Sequence, residues 1–208
     1  MMAGPQRRAT GPGAGGAAAR GRLVAAAAGL IAESGAGAAT SRAIAGRAGE
    51  NLGAITYYFG SKDALVAEAL VGQARALVQP VIDVLAGPGT PADKLAAAVG
   101  MLTSLLAERR AELPGYLACV AGAAHDPALA APLRDLSRDL RAHLAAEMTR
   151  QRDAGAIPGW VDPPAMASLI VALATGVVAE TVVDPDTTDA PAIGAQFAAL
   201  LLAARPAE

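Results

Sequence analysis

Aromatic side chains are scarce in this chain: one Trp, three Tyr and two Phe, 3% of 208 residues. That poverty argues against a flat polyaromatic ligand stacked between rings. Cys119 is the only cysteine, which excludes an internal disulfide and a cysteine-built zinc cluster. The two histidines, His125 and His143, lack metal-ligand spacing, and no His-Glu-x-x-His motif occurs. Few β-branched alternations are present, so strands are not expected. No charged start leads into a continuous apolar segment, so a secretory signal is not expected. The longest apolar run, residues 165–179, contains Ser168, Thr175 and Gly176 and stops at Glu180. It is short against the about 20 residues that cross a bilayer. A buried or intersubunit helix, no membrane, no metal, no cofactor and a cytoplasmic location are the expectations.

What is present is small and apolar. The apolar share is 53%, dominated by Ala with abundant Gly, which suits helices that pack closely. Net charge is −2, but it is unevenly placed. Residues 1–62 hold seven basic residues against two acidic ones, a net +5, and the remainder is −7. A basic end on an acidic body fits an end that meets nucleic acid.

Gly, Pro and Ala crowd residues 1–19, which reads as a disordered tail. Arg7 and Arg8 stand open to two readings, an arm in a minor groove or an inert tail, and the second is the plainer. Helices are expected over about 20–34, 41–48, 52–58, from 62 into the eighties, 91–109, 113–124, 127–155, 163–183 and 191–204. Pro80 should kink the fourth. Thr90-Pro91, Asp126-Pro127 and Asp162-Pro163 read as helix starts, and Asp184-Pro185 as a stop. Leu133, Leu136, Leu140, Leu144 and Met148 form one apolar stripe. The whole is an all-α chain of about nine helices.

Residues 40–62, TSRAIAGRAGENLGAITYYFGSK, carry the densest signal. Thr40 and Ser41 are N-cap residues for a helix whose apolar face is Ile44, Ala45 and Ala48. Gly49 stands where a left-handed turn is needed. Leu52, Ile55 and Phe59 supply a second apolar face, and Ser61 caps the next helix. Two short helices joined by a glycine turn form a helix-turn-helix, whose second helix can enter a DNA major groove.

These residues resemble the DNA-binding domain of the TetR family of transcriptional regulators. The resemblance rests on Thr40-Ser41, Ile44-Ala45, Ala48-Gly49, Tyr57-Tyr58-Phe59, Ser61-Lys62-Asp63 and Ala64-Leu65. Upstream, Leu23-Val24, Ala26-Ala27, Leu30-Ile31 and Glu33-Ser34-Gly35 fit the family's first helix. It covers about a quarter of the chain, roughly residues 20–70. Two positions depart from the pattern: Glu50 stands where an apolar residue usually packs in the turn, and Ile31 where an aromatic is common.

The resemblance implies a helix-turn-helix domain over 20–66 and a helical effector-binding and dimerisation domain over 67–208. It assigns Tyr57 and Lys62 to backbone phosphates. Thr40, Ser41 and Arg42 lie at a helix N-terminus, where unpaired amides favour a phosphate, and Arg42 also sits where the family often reaches a guanine. Asn51, Gly53, Ala54, Thr56 and Tyr58 would face bases, while Leu52, Ile55 and Phe59 pack the small domain. The last two helices would pair with those of a second subunit through Leu169, Ile170, Leu173, Gly176, Val177, Phe197, Leu200 and Leu201.

An effector cavity would draw on Met101, Leu105, Tyr116, Cys119, His143, Met148 and Thr175. A partly buried histidine with one hydrogen bond is the plainer reading of His143, a core residue that of Cys119, and a loop plug that of Trp160. The implied function is a homodimeric repressor, not an enzyme, released from a palindromic operator in double-stranded DNA by a small, mostly apolar effector. The alternatives are a regulator of this type without a small-molecule effector, or an activator. A helical-bundle enzyme or carrier fares worse, since the histidines lack metal-ligand spacing, Cys119 has no assigned partner and the Gly-rich tail lacks the strand and Gly-Lys-Ser/Thr of a phosphate loop.

Overall fold

The computed structural model describes residues 14–203. They form nine α-helices and two single 3-10 turns, with no strand among the described residues. The helices are α1 Ala14–Ser34, α2 Ser41–Ala48, α3 Gly53–Phe59, α4 Lys62–Ala86, α5 Pro91–Glu108, α6 Leu113–Gly122, α7 Pro127–Asp153, α8 Pro163–Val183 and α9 Ala190–Ala203. The chain divides into two compact units, with the boundary between Ala69 and Leu70, inside α4.

Helix starts follow the capping chemistry closely. Thr40 accepts from the Ala43 amide at 3.2 Å, Ser61 from Ala64 at 3.0 Å and Thr90 from Asp93 at 3.2 Å. Asp126, Asp162 and Asp189 do the same for α7, α8 and α9. Each side-chain oxygen satisfies an amide that has no partner inside its helix. Pro91 adds a preset φ at the first turn of α5.

Two readings of the sequence need correction. Helix α1 begins at Ala14, not at 20, because the alanines at 17–19 favour helix and Ala19 is buried; residues 1–13, with Arg7 and Arg8, lie outside the described residues. Helix α4 runs into the eighties as expected, through Pro80 to Ala86, where the ring removes one backbone hydrogen bond. The short 3-10 turns at Ala36–Ala38 and Arg110–Glu112 carry no apolar periodicity and were not expected.

In the N-terminal unit α1 packs on α2 and α2 on α3. The buried side chains are small or branched: Leu23, Ala27 and Ile31 from α1, Ile44 from α2, Ile55 from α3 and Leu65 from α4. In the C-terminal unit one cluster joins Leu77, Leu105, Leu106, Leu113, Val177 and Val178. A second joins Leu85, Ala98, Leu144 and Ala167, and a third Met148, Ile157 and Val161.

Candidate DNA interface and effector cavity

Gly49 ends α2 in the left-handed region at φ 66°, and the Glu50 amide donates back to the Ala45 carbonyl at 2.9 Å. Asn51 then caps α3, its Oδ1 accepting from the Ala54 amide at 2.9 Å. Ile55 and Ala54 are buried, whereas Asn51, Leu52, Gly53, Thr56 and Tyr57 are exposed, Tyr57 at 74%. Two assignments are thereby corrected. Ala54 packs into the unit and cannot face a base. Leu52, expected in the core, is 55% exposed at the start of α3. The inner side of α3 therefore runs through Ala54 and Ile55, and not through the expected Leu52.

Thr40 and Arg42 are exposed and Ser41 is half-buried. Tyr58 is half-buried, edge-on to Tyr57 with ring centroids 4.8 Å apart. Lys62 is exposed, with its ammonium 3.1 Å from Asp63. Phe59 is half-buried under the Arg20 guanidinium, 4.9 Å from the ring centre.

Most of the cations in this unit face carboxylates. Arg20 meets Glu68 at 2.5 Å and Arg22 meets Glu50 at 2.5 Å. Arg47 grips Glu33 through both terminal nitrogens, and this hydrogen bonding holds the Glu33 carboxyl below its ordinary range. Arg42 is the one cation among the described residues of the unit with no carboxylate in reach. Glu50, the residue that departs from the family pattern, is thus an ion-pair partner that ties the turn to α1. Counting charge only to residue 62 also overstated the basic end: Asp63 and Glu68 bring residues 1–69 to +3.

The C-terminal unit holds a partly open cavity of about 210 Å³. Its lining comes from α4 to α9 and is almost wholly apolar, with Leu77, Leu102, Leu106, Leu144, Ile170 and Phe197 among it. Three lining residues carry a hydroxyl: Thr103, Tyr116 and Thr175. Of the residues the sequence suggested, Tyr116, Met148 and Thr175 line it, and four do not. Leu105 is buried in the adjoining cluster and Met101 packs on that cluster, while their neighbours Leu102 and Leu106 turn to the cavity. Cys119 is fully buried, and burial pushes its thiol pKa up, which keeps it protonated and unreactive. His143 is half-buried, with Nδ1 2.8 Å from the Asp139 carbonyl oxygen. Trp160 is half exposed on a loop.

Helices α8 and α9 show an apolar side to the outside. By length and composition α8, like α4, is long and apolar enough to cross a membrane, yet only 17% of its most apolar stretch is buried in the unit. Ala165, Leu169, Ala172 and Gly176 make its exposed stripe, with Leu200 exposed on α9. Ile170, Leu173, Val177 and Phe197, expected on that outer face, line the cavity instead. On α8 they sit about 100° round the helix from the Leu169–Gly176 stripe. The side chain of Leu201 lies outside the described residues.

Residues 91–204 match the profile of the BetI-type transcriptional repressor C-terminal domain, and residues 23–69 that of the bacterial regulatory proteins of the tetR family. The chain belongs to the TetR family of transcriptional regulators. A regulator from Rhodococcus sp. Rha1 is 29% identical to this TetR-family chain, with a TM-score of 0.71 over 88% of this chain and 96% of that one. One from Saccharomonospora viridis, solved with choline, is 18% identical with a TM-score of 0.74 over 88% and 95%. FadR from Bacillus subtilis, solved with stearoyl-CoA, is 20% identical with a TM-score of 0.70 over 87% and 96%. Among curated proteins none matches. TetR-family membership makes the N-terminal unit a DNA-binding helix-turn-helix domain and the protein a transcription regulator, not an enzyme.

Proposed function

We propose that this regulator is a homodimeric repressor that leaves a near-palindromic operator when a small, mostly apolar effector fills the cavity. It acts in the cytoplasm, where the operator DNA is. The observation that carries this reading is an apolar pocket in one unit of a chain whose other unit presents the outer side of α3 behind a glycine turn. Arg42, Tyr57 and Lys62 hold phosphates, and phosphate contacts set the register. Asn51, Leu52 and Thr56 meet base edges. With its Oδ1 engaged on the Ala54 amide, Asn51 offers its amide nitrogen, while Leu52 and the Thr56 methyl suit thymine methyl groups. Gly53 has no side chain to hold the helix off the groove.

The exposed stripe of α8, together with Leu200 on α9, supports dimerisation, because small residues allow close helix approach and contiguous apolar surface favours cover. Two-fold symmetry then asks for a near-palindrome, with two recognition helices about 34 Å apart. The effector acts by binding one of two conformations more tightly, and a coupling of about 1–3 kcal/mol is typical.

The test is selection of bound sequences from random duplex DNA by the purified protein, followed by sedimentation of the complex. The expected result is one near-palindrome carrying two chains, lost in the Tyr57→Ala/Lys62→Ala double variant. Selection of no sequence by the folded wild type, or a complex with one chain, would overturn the reading.

A further inference from the structure

The chemical class of the effector follows from a count of hydroxyl protons in the cavity. No Asp, Glu, Lys, Arg or His side chain lines it. Each of the three hydroxyls has one proton to give. The Thr175 hydroxyl donates to the Val171 carbonyl at 2.9 Å, and that of Thr103 to the Gly100 carbonyl at 2.9 Å. Both threonine protons are therefore held by the backbone of their own helices. The remaining one belongs to Tyr116, whose oxygen lies 3.4 Å from Thr175 Oγ1. That is beyond the about 2.5–3.0 Å of a good O–H···O bond, so the Tyr116 proton is held weakly and is cheap to redirect.

A cavity with one transferable donor in an apolar wall selects against charge. A cation would lose its water with no carboxylate to replace it, and only two rings, Tyr116 and Phe197, are at hand for its face contacts. An anion would meet no Lys or Arg. The volume, about 210 Å³, also lies below the roughly 300–1,000 Å³ of drug-sized pockets. The choline and stearoyl-CoA held by the two structural relatives are thus poor matches for this lining.

We infer that the cavity takes a small neutral molecule with an apolar body and one hydrogen-bond acceptor, such as a ketone or ester carbonyl, which receives the Tyr116 O–H. This rests on the effector reading above and narrows it.

Calorimetric titration with four probes tests it: acetophenone, its acceptor-free analogue ethylbenzene, choline and benzoate. Each is added to the wild type, to Tyr116→Phe and to Ala174→Phe, the last meant to fill the cavity, with circular dichroism to confirm folding. Acetophenone should bind about tenfold more tightly than ethylbenzene, on the scale of one hydrogen bond. Tyr116→Phe should bring it down to the ethylbenzene level and leave ethylbenzene unchanged. Neither ion should displace it. Equal binding of the two neutral probes, a preference that survives Tyr116→Phe, or displacement by choline or benzoate would overturn the inferred class while leaving an effector cavity in place. Binding of no probe, or binding unaffected in folded Ala174→Phe, would remove the cavity reading itself.

Discussion

Three guanidinium–carboxylate pairs tie α1 to α2, to the turn and to α4 in the N-terminal unit. In the C-terminal unit the ion pairs lie mostly within one helix or turn, and the exception is buried. Glu147 is fully enclosed on α7, with Lys94 of α5 at 3.6 Å and Arg150 against the same carboxylate oxygen. The smaller unit has few large side chains to bury and adds polar ties at its rim. The larger one relies on leucine and valine clusters around a void, so its stability and its binding volume come from the same side chains. A small domain that grips a fixed ligand is built on local geometry, while one that admits a guest is built on packing it must partly forgo.

Substitutions can break that contrast, and the largest effect belongs to the packed unit. Leu144, 3% exposed and lining the cavity, should cost about 2–5 kcal/mol as Leu144→Ala, read by urea unfolding. An equally large loss from removing a rim pair such as Arg22–Glu50 would erase the distinction. Next comes Gly49→Ala. Nothing lies within 4 Å of the added methyl, so the cost, about 1–2 kcal/mol, is that of holding a side chain at φ 66°. It is measured as a lower thermal midpoint.

Arg42→Ala should leave folding unchanged and weaken operator binding, cutting the slope of log affinity against log salt by about one per chain. Arg47→Ala, which removes a paired cation, should change that slope less, and a larger change there would show that its pair opens on DNA.

The smallest effect is that of pH on Glu33. Its carboxyl is held below the ordinary 4.5 by Arg47, so the unfolded chain binds more protons between the folded value and 4.5. The stabilisation is complete above the unfolded value and is lost as pH falls through the folded one. Because both partners are exposed, the gain is small. An acid-unfolding curve of Arg47→Leu should show a shallower loss over that window.

Much of the fold is legible in the sequence because its signals are local. Thr40, Ser61, Thr90, Asp126 and Asp162 each need only the next three residues to act as caps, and Gly49 needs only its own φ. The family resemblance added the two-unit architecture. Helix phase was harder to read. Met101 against Leu102, Leu105 against Leu106, and Leu169 against Ile170 are choices of one residue, a rotation of about 100°. In alanine-rich helices apolar residues point every way, so periodicity does not choose between them. Only packing against other helices decides, as it does for Ala54 and Leu52. The cavity was least legible, since a void is defined by six helices at once.

The paired arginines of the N-terminal unit also bear on how the regulator searches a genome. Attraction to DNA of any sequence comes from uncompensated positive charge. Here Arg20, Arg22 and Arg47 already face carboxylates, and Arg42 is left as the unpaired cation among the described residues of the unit. Contact of those three cations with phosphates of any sequence therefore requires an ion pair within the unit to open first.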